Sequence, residues 1–149
     1  MWYYQNNIID SISQMPKDVF GFIYKIINID TGRFYIGKKQ LQHTKNVKLG
    51  KKEKAILVKN ITGKGRRPSK KIIVKESDWL SYYGSSKQLL EDVKKLGEAA
   101  FKREIIQYCF SKKSLFYSEI KQQILNQCLE QPERCYNESI MGKFFNADV

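Results

Sequence analysis

Two tyrosines, Tyr24 and Tyr35, stand near the ends of two short β-forming runs in FGFIYKIINIDTGRFYIGKK, residues 20–39. A phenol titrates near 10 in water, so one alone is a poor base at neutral pH. Beside cations it gives up its proton more readily, and its hydroxyl can orient a water molecule. Placed opposite or diagonally across a hairpin, two phenols share one face and act on one point, whereas a one-residue slip in register would separate them. Other routes to chemistry are poorly supplied. His43 is the single histidine and lies in the polar stretch QLQHTKN, and the three cysteines, Cys109, Cys128 and Cys135, form no CxxC pair. Histidine-based nucleophilic triads and cysteine–histidine zinc sites are thereby excluded, and the thiols read as buried and idle.

What remains is electrostatic. Lys and Arg number 27 against 15 Asp and Glu, a net charge of +12, which attracts polyanions whatever the fold. About half of the basic residues lie between Lys38 and Lys75, where Glu53 is the only acid. Gly63, Gly65 and Pro68 in TGKGRRPSKK favour a turn or flexible tip there. Lys51, Lys52, Lys54, Arg66 and Arg67 make this stretch a nucleic-acid-binding arm. Its lysines offer charge without bidentate geometry, so they are expected to contact phosphates without sequence preference. No run approaches the roughly 20 apolar residues of a membrane span. The opening MWYYQNNIID has no basic leader or apolar signal segment, so a cytoplasmic location is expected.

The elements that must position these residues can be read next. IDTG between the two β runs suits a tight turn, giving an antiparallel hairpin over 20–38. In SDWLSYYGSSKQLLEDVKKLG, Ser85 or Ser86 caps a helix from about 86 to 96, with Leu89, Leu90, Val93 and Leu96 at helical spacing and Gly97 as its stop. Trp79, Tyr82 and Tyr83 just before it suit core packing beneath that helix, with stacking on bases as the alternative. AFKREIIQYCF returns to strand character. From Ser114 the spacing predicts a second helix with Phe116, Ile120, Ile124 and Cys128 on one stripe and Pro132 just past its end. The length of 149 residues suits one domain, and the order of elements gives a small α+β fold with a mainly antiparallel sheet.

Together these segments resemble the GIY-YIG nucleases, and within that family the phage endonucleases of the Seg type. Phe22, Ile23 and Tyr24 stand at the first name motif, and Tyr35, Ile36 and Gly37 match the second literally. YYGSSKQLLEDVKKLGEAAFKREIIQYC is similar to the family's helix and third strand, FYSEIKQQI to the helix carrying its acid, and CYNESI to its terminal asparagine segment. The likeness covers about residues 20–141. Phe22 replaces the first glycine of the motif. Where the family places a catalytic arginine the chain reads HTKNVKLGKK, so Arg103, or Arg66 or Arg67, becomes the candidate cation, with Arg103 favoured because a strand holds a side chain better than a glycine-flanked loop does.

The resemblance implies a three-stranded, mainly antiparallel sheet flanked by helices, with a basic insertion after the hairpin. It implies a DNA endonuclease of phage homing or restriction-like type, acting in an infected host's cytoplasm with one divalent metal ion. Tyr24 would be the general base or water positioner and Tyr35 its partner. Gly37 would allow close backbone approach, and Lys38 would steady a phosphate. Glu119 would ligate Mg²⁺ or Mn²⁺. Asn137 would serve as a turn or cap residue or in catalysis. The expected partner is DNA, with no membrane and no small-molecule cofactor; the oligomeric state stays open. A non-catalytic nucleic-acid-binding module on the same fold, and a ribonuclease, are the alternatives.

Overall fold

The computed structural model describes residues 1–60, 63 and 65–149. Ile61, Thr62 and Lys64, which belong to the expected tip, lie outside the described residues.

The expected hairpin forms from β3 (Gly21–Asn28) and β4 (Phe34–Gln40), antiparallel with Tyr24 opposite Gly37 and Ile26 opposite Tyr35. Its turn is closed by the Asn28 side chain, whose oxygen accepts the N–H groups of Asp30 (3.1 Å) and Thr31 (3.2 Å), while Gly32 takes φ +72°. Such local bonding is why Asn and Gly dominate tight turns.

The sheet is larger than expected. Besides β1 (Trp2–Tyr4), β2 (Asn7–Ile9) and β7 (Phe101–Cys109), it holds the hairpin strands in the order β2-β1-β7-β3-β4. Gln5 and Asn6, both at positive φ, make the mirror-image turn that suits a two-residue hairpin loop between β1 and β2. β1 then runs parallel to β7, with Trp2 beside Arg103. Trp2 is fully buried, and its indole N–H donates to the Trp79 carbonyl at 2.7 Å. The core therefore begins at residue 2 rather than 20, and five strands replace the expected three.

Side chains of the two sheet faces build separate cores. Trp2, Phe22, Tyr24, Ile26, Tyr35, Trp79, Tyr83 and Leu89 cluster on one face, under the 79–83 segment and α2 (Lys87–Leu96). Ile23, Phe34, Ile36, Leu115 and the three free cysteines cluster on the other, under α3 (Lys112–Leu125). α2 has the expected caps, Ser86 accepting the Leu89 N–H and Gly97 ending it.

α3 departs from its expected stripe. It starts after Ser111, ends before Cys128, and leaves Phe116 and Ile124 exposed. The residues it buries are Leu115, Ser118 and Gln123. Ser118 accepts from Gln107 of β7 and Gln123 donates to Ile36 of β4, so hydrogen bonds replace part of the apolar face. Beyond α3 a short ribbon pairs β8 (Ser139–Ile140) with β9 (Phe144–Phe145).

Residues 42–77 form a compact unit distinct from that of residues 1–41 and 78–149. The expected loop-like arm is in fact β5 (Gln42–Lys48), α1 (Lys51–Asn60) and β6 (Lys70–Glu76), with β5 and β6 paired antiparallel. Glu53 in the first turn of α1 accepts the Gly50 N–H and pairs with Lys71. Lys71 is the first cause that holds its carboxyl below the ordinary range. Among the described residues no helix is long and apolar enough to cross a membrane.

Candidate active site

Tyr24 lies mid-strand on β3 and is 1% exposed. The backbone of β4 passes so close that a Cβ added at Gly37 would stand 2.5 Å from the Tyr24 hydroxyl. Glycine at 37 is thus required by the Tyr24 phenol itself, which packs where any side chain would be. A β-bulge between Ile23 and Tyr24 shifts the pairing with β7 at this point, the kind of irregularity that re-aims a side chain.

Tyr35 sits diagonally across the hairpin from Tyr24, as its register with Ile26 requires, with ring centroids 6.1 Å apart. Its hydroxyl lies 3.0 Å from Ser85 Oγ. Gly84, at φ +87°, lets the chain turn against the Tyr35 ring, where an added Cβ would stand 3.0 Å from Cε1. Tyr82 edges onto Tyr24 at 6.1 Å, and Lys39 Nζ rests 3.6 Å above the Tyr82 ring while bonding Asp78 at 2.6 Å.

β4 is an edge strand, and that position makes the site. Alternation sends Tyr35, Gly37 and Lys39 to the α2 face, but Ile36 and Lys38 to the α3 face. Lys38 there pairs with Glu119 of α3 and lies 4.9 Å from the Phe116 ring centre. A cleft of about 530 Å³ reaches both sides of the strand and is lined by Tyr35, Lys38, Ser85, Lys87, Glu119, Gln123 and Asn137. Asn137 acts as a fastener. Its amide accepts the Ile36 N–H at 2.9 Å and donates to the Ile36 carbonyl at 2.8 Å, which Gln123 also reaches at 3.1 Å. Neither the turn nor the cap role expected for Asn137 is what these bonds describe.

Burial is the first cause that pushes the Tyr24 phenol well above its ordinary value, and Tyr35, Tyr82 and the Glu119 charge act in the same direction. Tyr35 is also raised by burial, with the Ser85 hydrogen bond opposing. Both phenols are therefore protonated in the resting protein at neutral pH, hydrogen-bond donors first. Two carboxylates line the cleft, Glu119 from α3 and the exposed Glu138 beside Asn137, and among the described residues no cluster of three or more His, Cys, Asp or Glu is found. One or two carboxylates beside hydroxyl and amide oxygens fit a hard divalent cation that keeps most of its waters and takes further ligands from a phosphate.

The cleft gathers Tyr35, Lys38, Glu119 and Asn137, with Tyr24 packed behind Gly37. It does not include Arg103. That side chain is 4% exposed, donates from Nη1 to the carbonyls of Leu80 and Tyr82 at 2.9 Å each, and is stacked by Trp2 and Tyr83. The expectation that Arg103 supplies the cation is corrected: its charge is spent holding the 80–82 backbone. Arg33 and Arg134 likewise bond elsewhere, Arg33 to Gln88, Pro132 and Cys135, and Arg134 to Gln131. Lysines 38 and 87 are the cations of this cleft. Lys51, Lys52 and Lys54 are exposed on α1; Arg66 and Arg67 are exposed before β6, with Arg67 beside Lys54 in a hollow of about 350 Å³. Sequence reasoning named Ser85 only as a possible helix cap and passed over Lys87 and Gln123. The YYGSS stretch carried a signal for Ser85, since only one of its two serines can cap α2.

A family model described as "Putative endonuclease segE, GIY-YIG domain" matches residues 2–148. No curated protein and no solved structure matches the chain.

Proposed function

Since the chain belongs to the GIY-YIG endonuclease family of SegE type, we propose that the cleft over β4 hydrolyses phosphodiester bonds in DNA with the help of a divalent cation. The observation that carries this reading is the convergence of Tyr35, Lys38 and Glu119, from opposite faces of one edge strand, on a single cleft backed by Tyr24.

Phosphodiester hydrolysis needs a placed water, neutralised phosphoryl oxygens and an exit for the leaving alkoxide. Glu119 would hold Mg²⁺ or Mn²⁺, which when bound supplies charge neutralisation on the phosphate and at the leaving oxygen. Lys38, which pairs with Glu119 at the cleft, would place a point charge on a non-bridging oxygen. Lys87, on the first turn of α2, adds a second one beside the helix N-terminus. Tyr35, tied to Ser85, is a fixed donor to the incoming water or phosphate. Tyr24 keeps its proton at rest. Burial, the largest cause of its raised value, holds that proton, so Tyr24 serves first as a donor that positions water or phosphate.

The experiment is a supercoiled-plasmid assay. With Mg²⁺ the purified protein should convert the plasmid to nicked or linear forms, and EDTA should stop it. A plasmid left intact with both Mg²⁺ and Mn²⁺ would overturn the reading in favour of a DNA-binding module without turnover, a reading that draws on the three arginines bonded away from the cleft. Cleavage confined to RNA would favour a ribonuclease.

A further inference from the structure

The β5–β6 ribbon has two unlike faces. Its register pairs Val47 with Lys71, and on that face Lys71 is engaged by Glu53 of α1 and Val47 is half-buried. The opposite face carries, in order along the ribbon, the rungs Gln42–Glu76, Thr44–Val74, Asn46–Ile72 and Lys48–Lys70, so its one acid lies at the end away from the two lysines. Ile72 is 70% and Val74 56% exposed, and Thr44 and Asn46 are exposed beside them. Two β-branched aliphatics standing in water next to an amide and a hydroxyl do not build a core. They do not resemble a merely solvated face either, which would carry charge at those positions.

We propose that this face enters the major groove of duplex DNA and reads base edges, with A·T pairs opposite the Asn46–Ile72 and Thr44–Val74 rungs. Three observations favour that occupant. First, the 42–77 segment holds twelve Lys and Arg against two acids, so it is drawn to a polyanion. Second, two strands about 4.8 Å apart with their side chains fit a groove roughly 12 Å wide. The two rungs are about 6.8 Å apart, the rise of two base-pair steps. Third, the side-chain types match the groove's chemistry. Asparagine bonds adenine N6 and N7 together, threonine serves as donor or acceptor, and isoleucine and valine pack on the thymine methyl. Lys48 and Lys70 at the ribbon end take phosphates and fix the register. The deep, narrow major groove of A-form RNA would not admit the ribbon.

The inference takes its ligand from the endonuclease reading but is tested without cleavage. A Glu119→Gln protein, in EDTA, is used to select bound sequences from a random duplex DNA library. The expected result is enrichment of a short site containing an A·T pair. Asn46→Ala should then relax the preference at one base pair, losing about 5- to 150-fold of discrimination against the wrong base. Lys48→Gln with Lys70→Gln should leave the selected site unchanged, weaken all sequences alike and lower the log–log salt slope by about two units. Thr44, Asn46, Lys48 and Lys70 are all exposed, so these variants spare the core. No enrichment, the same site selected by Asn46→Ala, or duplex RNA competing as well as DNA would each overturn the inference. An intact plasmid in the cleavage assay, with enrichment retained here, would overturn only the nuclease reading.

Discussion

Residues 42–77 and the remainder of the chain use charge in opposite ways. The insertion carries twelve cations against two acids, while the other 113 residues carry fifteen against thirteen. Of the insertion's described residues only Leu49 is buried, whereas the larger unit buries two cores, one on each face of its sheet. Charge on the insertion acts at long range through water and is screened by salt. In the larger unit it acts at contact, where burial shifts phenols and ties Lys38 to Glu119. Affinity and chemistry should therefore be separable by mutation.

The sharpest test of that separation is Glu119→Gln. It keeps the side-chain size and removes the carboxylate, so cleavage should fall below detection while DNA affinity in EDTA stays almost unchanged. Metal-dependent turnover by this variant would dissolve the distinction. Next, Tyr24→Phe should lower the single-turnover rate at saturating DNA by about 10²-fold or more, with binding retained. A wild-type rate would make Tyr24 a packing residue. On the other side of the comparison, Lys51→Gln, Lys52→Gln and Lys54→Gln combined should weaken binding to every duplex alike. They should flatten the log–log salt slope by up to about three units and leave the saturated rate nearly intact. Loss of that rate would place the insertion in the catalytic centre. The smallest effect is on stability. Tyr24 and Tyr35 have folded-state values raised above those of the unfolded chain, so below pH 10 both states are protonated and stability is fully present. Above it the unfolded chain ionises first, and stability declines as pH rises toward the folded values. Urea titrations between pH 9 and 11 should show that decline, and Tyr24→Phe should make it shallower.

What could be read from sequence was what neighbours in the chain determine. The hairpin, its Asn28–Gly32 turn and the Ser86 and Gly97 caps depend on residues a few positions apart. The β1–β7 pairing joins Trp2 to Arg103, and no local pattern reports a parallel partner a hundred residues away. The buried face of α3 escapes a count of hydrophobic residues, because Ser118 and Gln123 are buried on the strength of their bonds. In the insertion, the run Ile72-Ile73-Val74 signals a strand, but the lysines around it read as loop. The motifs fix the order of Tyr35, Lys38 and Glu119, and the structure lines one cleft with all three. That Lys38 reaches the phenols' cleft from the opposite face was not legible, since it depends on β4 being the outermost strand.

An outermost strand also offers its free backbone groups to any passing chain, the usual start of edge-to-edge aggregation. Here residues 134–137 take up that role. Phe34 exchanges backbone bonds with Arg134 and Tyr136, and Asn137 closes both backbone groups of Ile36. The side chain that fixes the strand between Tyr35 and Gly37 is thus also its guard against self-association. Asn137→Ala should cost soluble yield as well as rate, and light scattering of the concentrated variant should detect assemblies that the native protein avoids. A strand that borders the cleft with side chains from both faces needs such a guard, and this chain provides it with a short backbone segment and one amide.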